Sequence, residues 1–353
     1  MDSLMGKYLS TLEFGQIQEF GEMSVIPLFK KENHALNYLT LQEALDNGQI
    51  QEFGEMSIIP LFKKENHALN YLTLQEALDK DLLIITEKDH GGSVPELKVV
   101  NKAEIPVLLL DGEEIIGAKQ NRIINTTILL KEQSETIIPV SCTESGRWSY
   151  TSAEFADSDT VASSKIRKKK SASVRESLKT FGEFRSEQGA IWEGIEEMHC
   201  YAATTETESP TRAMKNIYES KDKNLEEYLE AFKPLDGQKG IFVFINGDIT
   251  GFDIFSLEST YKKFHKKLIK SYSIDAILQE NYKDVIAKNR VERARNFIKN
   301  ITECEESVHK SVGYGWDCRY KSKSLIGSSL LYQDQIIHAT FFENENISKE
   351  EIV

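Results

Sequence analysis

The chain has 353 residues, 40% of them apolar and 28% charged, which is typical of a globular protein with one large domain or two smaller ones. Its formal net charge of −13, from 43 basic and 56 acidic residues, argues against broad binding of nucleic acids. No apolar run has the length that crosses a membrane, and the first residues lack the basic start and apolar core of a secretory signal, so we expect no membrane attachment.

The cysteines give no sign of a disulfide framework or a metal site. They lie at positions 142, 200, 304 and 318, without CxxC or CxH spacing. Zinc sites usually show such spacing, and disulfide frameworks pack more cysteines into shorter chains. We therefore expect a reducing, cytoplasmic location and predict no metal site, and the sequence indicates no particular cofactor.

The chain begins with a tandem repeat. Residues 15–47 and 48–80 are identical except at two positions, and each copy is predicted to form a strand, a turn and a helix with a capping box. Two copies are too few for a solenoid, so we interpret the repeat as a recent duplication or an assembly error. The second copy runs directly into the following segment. We therefore expect residues 1–47 to be an extra copy, 48–342 to form one domain, and 343–353 to be an acidic tail.

The segment 105–150 carries most of the strand signals. An apolar run at 107–110 meets Asp111-Gly112, which is typical of a hairpin turn, and a second apolar run follows. β-Branched residues predict further strands at 123–130 and 136–140.

The rest of the chain alternates helices with hairpins. Helical spacing predicts helices mainly within 160–232 and 259–302, including one from Met214 to Phe232. Hairpins are predicted around Asn246-Gly247 and within 324–342. The sequence therefore predicts an α+β fold, in which an antiparallel, hairpin-built sheet system has helices inserted between its strands.

Two polar clusters lie beside strands that otherwise have core composition. The first is Lys119, Gln120, Asn121 and Arg122. If this segment is extended, its side chains alternate between two faces, unless a bulge at Gly117 re-aims them. Arginine and asparagine suit phosphate, ribose or amide contacts. The alternative is an exposed edge strand that charge protects from pairing.

The second cluster is Cys142, Glu144, Arg147 and Trp148. Glu144 is the stronger candidate for an acid or base, since no histidine lies near Cys142 in the sequence to activate its thiol. A structural pair between Glu144 and Arg147 is at least as well supported. Trp148 could stack on a base or fill the core.

A basic run from Lys165 to Lys170, broken by Ile166, has two interpretations. It could bind an anion or phosphate, or it could be the solvated face of a helix. We favour the solvated face, because charge runs on helices are usually exposed.

Several of these motifs resemble a known family. GEEIIGAKQNR from Gly112, IPVSCTESGRW from Ile138 and GGSVPEL from Gly91 are similar to the signature of the ADP-ribosylglycohydrolase- and rhodanese-phosphatase-associated protein family. QGAIW, GFDIF and SYSIDA further along the chain are similar too. The resemblance covers about residues 48–342 and implies a link to ADP-ribose or related nucleotide metabolism.

Together with the resemblance, the clusters predict a protein that binds or hydrolyses an ADP-ribose-type nucleotide or conjugate. We expect Glu144 to be catalytic and Lys119, Gln120, Asn121, Arg122, Arg147 and Trp148 to bind the substrate. The alternative is a non-catalytic binding or scaffold module that has an ADP-ribosylglycohydrolase as its partner. Convergence of Glu144, Lys119, Asn121 and Arg147 on one concave pocket would favour an enzyme or ligand-binding protein, whereas dispersal, or pairing only with each other, would favour the scaffold.

Overall fold

The computed structural model describes residues 69–89, 91–202, 211–279 and 290–344, and before residue 69 it describes the backbone of six strands. The chain divides into two compact units. Unit 1 comprises Met1–His67, Glu227–Val308 and Cys318–Val353, and unit 2 comprises Ala68–Glu226 and His309–Asp317. The predicted acidic tail lies outside the described residues beyond residue 344, and the predicted domain limits at 48 and 342 stay a prediction.

The described elements mix helices with many antiparallel strands, which confirms the α+β prediction. In chain order the strands are β1 (Leu12–Phe14), β2 (Gln18–Phe20), β3 (Met23–Ile26), β4 (Leu28–Lys30), β5 (Glu52–Phe53), β6 (Ser57–Phe62), β7 (Leu72–Thr73), β8 (Leu83–Glu87), β9 (Glu96–Asn101), β10 (Val107–Leu109), β11 (Glu113–Gly117), β12 (Arg122–Ile124), β13 (Ile128–Leu130), β14 (Ser134–Cys142), β15 (Glu144–Ser145), β16 (Phe155–Val161), β17 (Arg212–Ala213), β18 (Gln238–Ile245), β19 (Asp248–Phe255), β20 (Glu305–Lys310), β21 (Trp316–Lys321), β22 (Leu325–Tyr332) and β23 (Gln335–Glu343). The helices are α1 (Leu74–Asp79), α2 (Ser164–Phe181), α3 (Gln188–Ala202), α4 (Met214–Ser220), α5 (Asp222–Ala231), α6 (Glu258–Ile277) and α7 (Arg290–Ile301).

Unit 2 is built on a six-stranded sheet with the order β16-β11-β12-β14-β9-β8 and a three-stranded sheet with the order β13-β10-β7. Side chains of β8 and β9 alternate between buried and half-buried, because one face of each strand packs on the core. β10, β12 and β13 are buried along their whole length. The apolar core of this unit includes Leu74, Ile85, Leu97, Leu109 and Ile124.

The helix α1 begins with the predicted capping box. The Thr73 hydroxyl accepts a hydrogen bond from the Glu76 N–H, and the Glu76 carboxylate accepts one from the Thr73 N–H. Each of these bonds satisfies a backbone or side-chain group that the first helical turn would otherwise leave unpaired. The capping box of the second repeat copy is therefore confirmed.

The turn at Asp111-Gly112 does not form the predicted hairpin. β10 pairs with β13 and β7, whereas β11 pairs with β12 and β16, so the strands on either side of the turn belong to different sheets. Gly112 has a φ of +81°, as the Asp-Gly signal predicts. The signal predicted the turn correctly and the pairing wrongly, because strand partners are chosen by residues far along the chain.

The ten-stranded sheet of unit 1 has the order β20-β21-β22-β23-β19-β18-β3-β6-β2-β5. The two hairpins predicted for this part of the chain are confirmed, since β18 pairs with β19 and β22 pairs with β23. Asn246 and Gly247 have φ angles of +53° and +76°, and Gln333 and Asp334 have +51° and +58°. Two consecutive positive φ angles are typical of the two-residue turns that match strand twist.

Both copies of the repeat contribute strands to this sheet. β3 of the first copy and β6 of the second pair in parallel, with Val25 opposite Ile58. β18 pairs with β3 along four residues and with β6 at Gln238 opposite Phe62. The interpretation of residues 1–47 as an extra copy stays a prediction.

The helices lie within the predicted regions, with one difference. The segment from Met214 to Phe232 forms two helices, because α4 ends at Ser220 and α5 begins at Asp222. Across the described ranges, no helix has both the length and the apolar character needed to cross a membrane.

Candidate functional site

The predicted polar cluster from Lys119 to Arg122 forms the turn between β11 and β12. These strands pair as a hairpin in which Ile115 lies opposite Arg122. Gly117 has a φ of +126°, and a Cβ added there would lie 2.5 Å from Ser152 Oγ, so the position requires glycine. Of the two arrangements that the sequence left open, the structure has no extended segment with alternating faces here, because the chain turns between Gly117 and Arg122.

All four side chains of this turn are buried. Exposure is 8% for Lys119 and Gln120, 7% for Asn121 and 0% for Arg122. β12 lies between β11 and β14, so it is not an edge strand, and the alternative of an exposed, charge-protected edge is wrong. Burying a polar group costs free energy unless the group finds a hydrogen-bond partner. The contacts of these four side chains therefore decide what the turn can do.

Arg122 has more hydrogen-bond donors than it has partners. Its Nη1 donates to Gln120 Oε1 and to Asn121 O, both at 3.2 Å. Within the described residues, its Nε and Nη2 have no hydrogen-bond partner. Burial lowers the pKa of Arg122, although the neighbouring Cys142 and Glu87 act in the opposite direction. Arginine remains protonated in proteins, so Arg122 is a buried positive charge with two nitrogens, Nε and Nη2, whose N–H groups are unused.

Lys119 lies beneath two exposed aromatic rings. Its Nζ is 5.2 Å from the ring centroids of both Trp148 and Tyr150, and it donates to Gly91 O at 2.6 Å. Trp148 is 46% and Tyr150 52% exposed. A Cβ on Gly92 would lie 3.1 Å from Lys119 Cδ and 3.2 Å from Trp148 Cζ2, so glycine allows the loop to approach. We call these residues, Lys119, Trp148, Tyr150 and the Gly91-Gly92 loop, the Trp148 surface.

Glu144 and Arg147 form a bidentate ion pair. Arg147 Nε and Nη2 donate to the two carboxylate oxygens of Glu144 at 2.9 and 2.5 Å, and the Asn121 N–H donates to Glu144 Oε2 at 3.2 Å. Arg147 also donates to Ala118 O at 2.8 Å. Burial alone would raise the pKa of Glu144, but the hydrogen bonds from Arg147 and Asn121 outweigh burial and lower it. The two predicted clusters therefore meet through Arg147, which connects the 118–121 turn with Glu144.

Cys142 is a packed, protonated thiol. Its side chain is fully buried, and its Sγ donates to Gln120 Oε1 at 3.1 Å. Burial raises the pKa of the Cys142 thiol to about 11. A thiol is nucleophilic as its thiolate, so this environment opposes a nucleophilic role.

Glu87, at the end of β8, belongs to the same neighbourhood, although its sequence context gave no signal. The Lys119 N–H donates to Glu87 Oε1 at 3.3 Å. Glu87 is 7% exposed, and among the described residues its Oε2 has no hydrogen-bond partner. Its contact with Lys119 spans 32 positions, which local sequence patterns do not report.

Glu114 is a second buried carboxyl group that the sequence did not single out. It is fully buried and accepts hydrogen bonds from Thr143 Oγ1 at 2.7 Å and Thr160 Oγ1 at 3.0 Å. Burial raises its pKa to about 7, against smaller opposing effects of these hydroxyls. The signal that could have revealed it is Glu113-Glu114 between apolar runs. Both side chains are buried, and a register shift between Glu113 and Ile115 interrupts the pairing with β16.

The basic run on α2 is partly internal. Arg167 and Lys170 are fully buried, and Lys170 Nζ donates to Asp111 Oδ1 at 2.5 Å and to Asn125 O at 2.9 Å. Lys165, Lys168 and Lys169 are half-buried. The favoured solvated face is therefore wrong for Arg167 and Lys170, because an inner stripe of this helix holds the turn between β10 and β11.

A separate cavity of about 350 Å³ lies beside α3. Its lining comprises Ser145, Trp192, Glu193, Ile195, Glu196 and Arg212. Arg212 forms an ion pair with Glu196 across it. None of the seven predicted site residues lines this cavity.

Unit 1 holds its own buried polar network. Asp253 accepts hydrogen bonds from Tyr272 Oη at 2.6 Å and contacts His338 Nε2 at 3.1 Å, with all three side chains fully enclosed. This network ties β19, β23 and α6 together. In the part of the chain that the structure describes, no group of three or more His, Cys, Asp or Glu side chains is placed to hold a metal ion.

A family model matches residues 48–342, which is most of the chain. It describes the ARG and Rhodanese-Phosphatase-superfamily-associated Protein domain. The chain belongs to this family. The family's name associates its members with the ADP-ribosylglycohydrolase and rhodanese-phosphatase groups, which is a loose link to ADP-ribose metabolism. Comparisons with curated proteins and with solved structures gave no match.

Proposed function

We propose that this protein binds an ADP-ribose-type nucleotide at the Trp148 surface. The observation that carries the proposal is the stacking of two exposed rings, Trp148 and Tyr150, over the Lys119 ammonium group, next to the buried charge of Arg122. Aromatic faces stack on bases, and lysine and arginine bind phosphates, so one small surface offers both kinds of contact. The family's association with ADP-ribosylglycohydrolase supports the same ligand class.

The local charge distribution supports binding of an anion despite the acidic chain. The net charge of −13 repels anions at long range. At the Trp148 surface, however, the Lys119 ammonium group lies at the Gly91-Gly92 loop, the Arg122 guanidinium lies under the Trp148 ring, and the charge of Glu144 is balanced by Arg147. We therefore infer that phosphate oxygens bind on the Lys119 side and that the base stacks on Trp148 or Tyr150.

Hydrolysis of the bound nucleotide is the catalytic form of this proposal, with Glu144 as the acid or base. Its lowered pKa keeps it ionised at neutral pH, which suits a base better than an acid. Arg147, Asn121 and Gln120 would hold Glu144 and the turn in position. The reaction requires Glu144 to release at least one oxygen from its contacts with Arg147.

The second candidate is a non-catalytic binding or scaffold module in the cytoplasm, with an ADP-ribosylglycohydrolase as its partner. The observation that favours it is the engagement of both Glu144 oxygens by Arg147 and the Asn121 N–H. A carboxylate so fully paired is well suited to ordering a turn. In this candidate the nucleotide is bound at the Trp148 surface without being cleaved.

Thermal shifts with ADP-ribose, NAD and ADP test the proposal. A ligand that binds only the folded state raises its stability, by about 2.7 kcal/mol at a concentration of 100 times Kd. We expect ADP-ribose to raise the melting temperature of the wild type and of Trp316→Ala, a control that loses another exposed tryptophan, but not of Trp148→Ala. Equal shifts in both variants would contradict binding at Trp148. Product analysis after incubation with ADP-ribose separates the two candidates.

A further inference from the structure

Two buried charged side chains behind the Trp148 surface keep polar atoms without a partner. Among the described residues, Arg122 Nε and Nη2 and Glu87 Oε2 make no hydrogen bond. Arg122 is 0% and Glu87 7% exposed, so bulk solvent does not satisfy them. Buried polar groups are nearly always paired in native proteins, and the exceptions call for an explanation. Here unused donors and an unused acceptor occur in one neighbourhood, which points to a bound group that both accepts and donates.

The two side chains are held by the same short turn. Glu87 Oε1 accepts a hydrogen bond from the Lys119 N–H at 3.3 Å, and Arg122 Nη1 donates to Gln120 Oε1 and Asn121 O at 3.2 Å. The carboxylate and the guanidinium are therefore anchored to consecutive residues. Each anchor uses one end of the charged group and leaves the other end free.

The opposite charges of Arg122 and Glu87 limit which chemical groups can bind to both side chains. A phosphate would be attracted by the Arg122 guanidinium, but its oxygen atoms would be repelled by the oxygen atoms of Glu87 and would offer them no hydrogen-bond donor. A hydroxyl group satisfies both, because it donates one hydrogen bond and accepts others. Adjacent sugar hydroxyls supply two such groups at once, which matches the one unpaired oxygen of Glu87 and the two unpaired nitrogens of Arg122.

We propose that Glu87 and Arg122 bind the hydroxyl groups of a ribose, with Glu87 Oε2 accepting from a hydroxyl and Arg122 Nε and Nη2 donating to hydroxyl oxygens. This inference rests on the proposed function, and the sugar is the terminal ribose of the nucleotide bound at the Trp148 surface. The Trp148 ring lies over the Arg122 guanidinium at 5.7 Å and is 46% exposed. For the sugar to reach Arg122, the Trp148 side chain rotates away and then packs over the bound sugar.

Calorimetric titrations with four probes test this assignment: ADP-ribose, ADP, ribose 5-phosphate and inorganic phosphate. Glu87→Gln keeps the acceptor for the Lys119 N–H and replaces the free oxygen with a donor. Glu96→Gln is the matched control, since Glu96 lies on the neighbouring strand β9 and pairs with Lys88 at the surface. We expect Glu87→Gln to weaken ADP-ribose binding about tenfold or more and to change ADP binding less than about twofold, with Glu96→Gln like the wild type.

The outcomes separate this inference from the proposed function. If ADP-ribose binds but Glu87→Gln weakens ADP-ribose and ADP equally, or neither, the ribose site is wrong, the unpaired atoms hold water only, and the proposed function stands. If ribose 5-phosphate binds in a Glu87-dependent way and no nucleotide binds, the ribose site stands and the proposed function fails. If none of the four probes binds, both fail. Should Glu87→Gln not fold, Glu87→Asp keeps the charge, shortens its reach and is expected to lose the same selectivity.

Discussion

Glu114 shows how a single buried side chain can make stability depend on pH. Its pKa is raised from 4.5 to about 7 because the carboxyl group is fully buried. The folded state therefore holds this proton more tightly than the unfolded chain does. The stabilisation is complete below pH 4.5 and is lost as the pH rises through about 7, by on the order of 3 kcal/mol.

We predict that Glu114→Gln removes this pH dependence. Glutamine cannot ionise and can still bond to the hydroxyls of Thr143 and Thr160, so the variant should gain stability relative to the wild type between pH 5 and pH 8. Urea unfolding of both proteins across that range measures the difference. Glu135→Gln, at an exposed position of β14, is the control. Parallel pH profiles for wild type and Glu114→Gln would show that Glu114 is already ionised in the folded protein.

The thiols provide a second prediction at this scale. Burial raises the pKa of Cys142 to about 11, whereas Cys200 is exposed. We expect iodoacetamide at pH 8 to label Cys200 while Cys142 stays protected until the protein unfolds, as measured by mass spectrometry of tryptic peptides. If Cys142 were labelled as fast as Cys200 in the native protein, Cys142 would again be a candidate nucleophile.

At the residue scale, the sequence predicted which positions are polar but not how they are buried. Lys119 and Arg122 could be named because they interrupt apolar runs. Glu87 could not, since its partner is the backbone of Lys119, 32 positions away. The pair between Arg147 and Glu144 is one of the two alternatives that the sequence supports, because the two residues lie three positions apart.

At the scale of elements, α2 is attached to the β10–β11 turn by a buried ion pair. Lys170 and Asp111 have side-chain exposures of 0% and 2%, and their charged atoms are 2.5 Å apart. Lys169, one position earlier, pairs with Glu197 at the surface. Removing one partner of a buried pair leaves the other charge uncompensated, whereas an exposed pair contributes little.

We predict that Lys170→Met lowers the free energy of unfolding by about 3–5 kcal/mol. Lys169→Met, on the same helix, should change it by less than about 1 kcal/mol. Denaturant unfolding of the two variants against the wild type provides the comparison. Equal small effects would mean that the ion pair between Lys170 and Asp111 does not hold α2.

Strand and helix identities could largely be predicted at this scale, whereas their pairing could not. Asn246-Gly247 gave a hairpin, and Asp111-Gly112 gave a turn between two sheets, although the dipeptide signals are similar. The two cases differ in the partner of the strand that follows the turn. β19 pairs with β18, the strand before its turn, whereas β11 pairs with β12 and β16 and not with β10. The burial of Lys170 could not be predicted either, since it depends on the partner that Asp111 provides.

At the scale of the whole molecule, the repeat presents two nearly identical segments to one sheet. β3 of the first copy pairs with β18, and β6 of the second pairs with β3. Their apolar content differs by one methylene, worth about 0.8 kcal/mol if buried. We predict that deleting residues 15–47 leaves a folded protein of equal or higher melting temperature, in which β6 replaces β3. Failure of the deletion to fold would show that both copies are integral to the sheet.

The most direct test of nucleotide binding uses Trp148 as its own reporter. The chain has three tryptophans, and replacing the exposed Trp192 and Trp316 with phenylalanine leaves Trp148 as the sole fluorophore of this type. Titration of this variant with ADP-ribose should give a saturable change in Trp148 emission that ADP and NAD also produce, because the base they share stacks on the ring or displaces it from Lys119 and Arg122. Unchanged emission at millimolar ADP-ribose, from a protein with a normal melting temperature, would contradict a nucleotide site at the Trp148 surface.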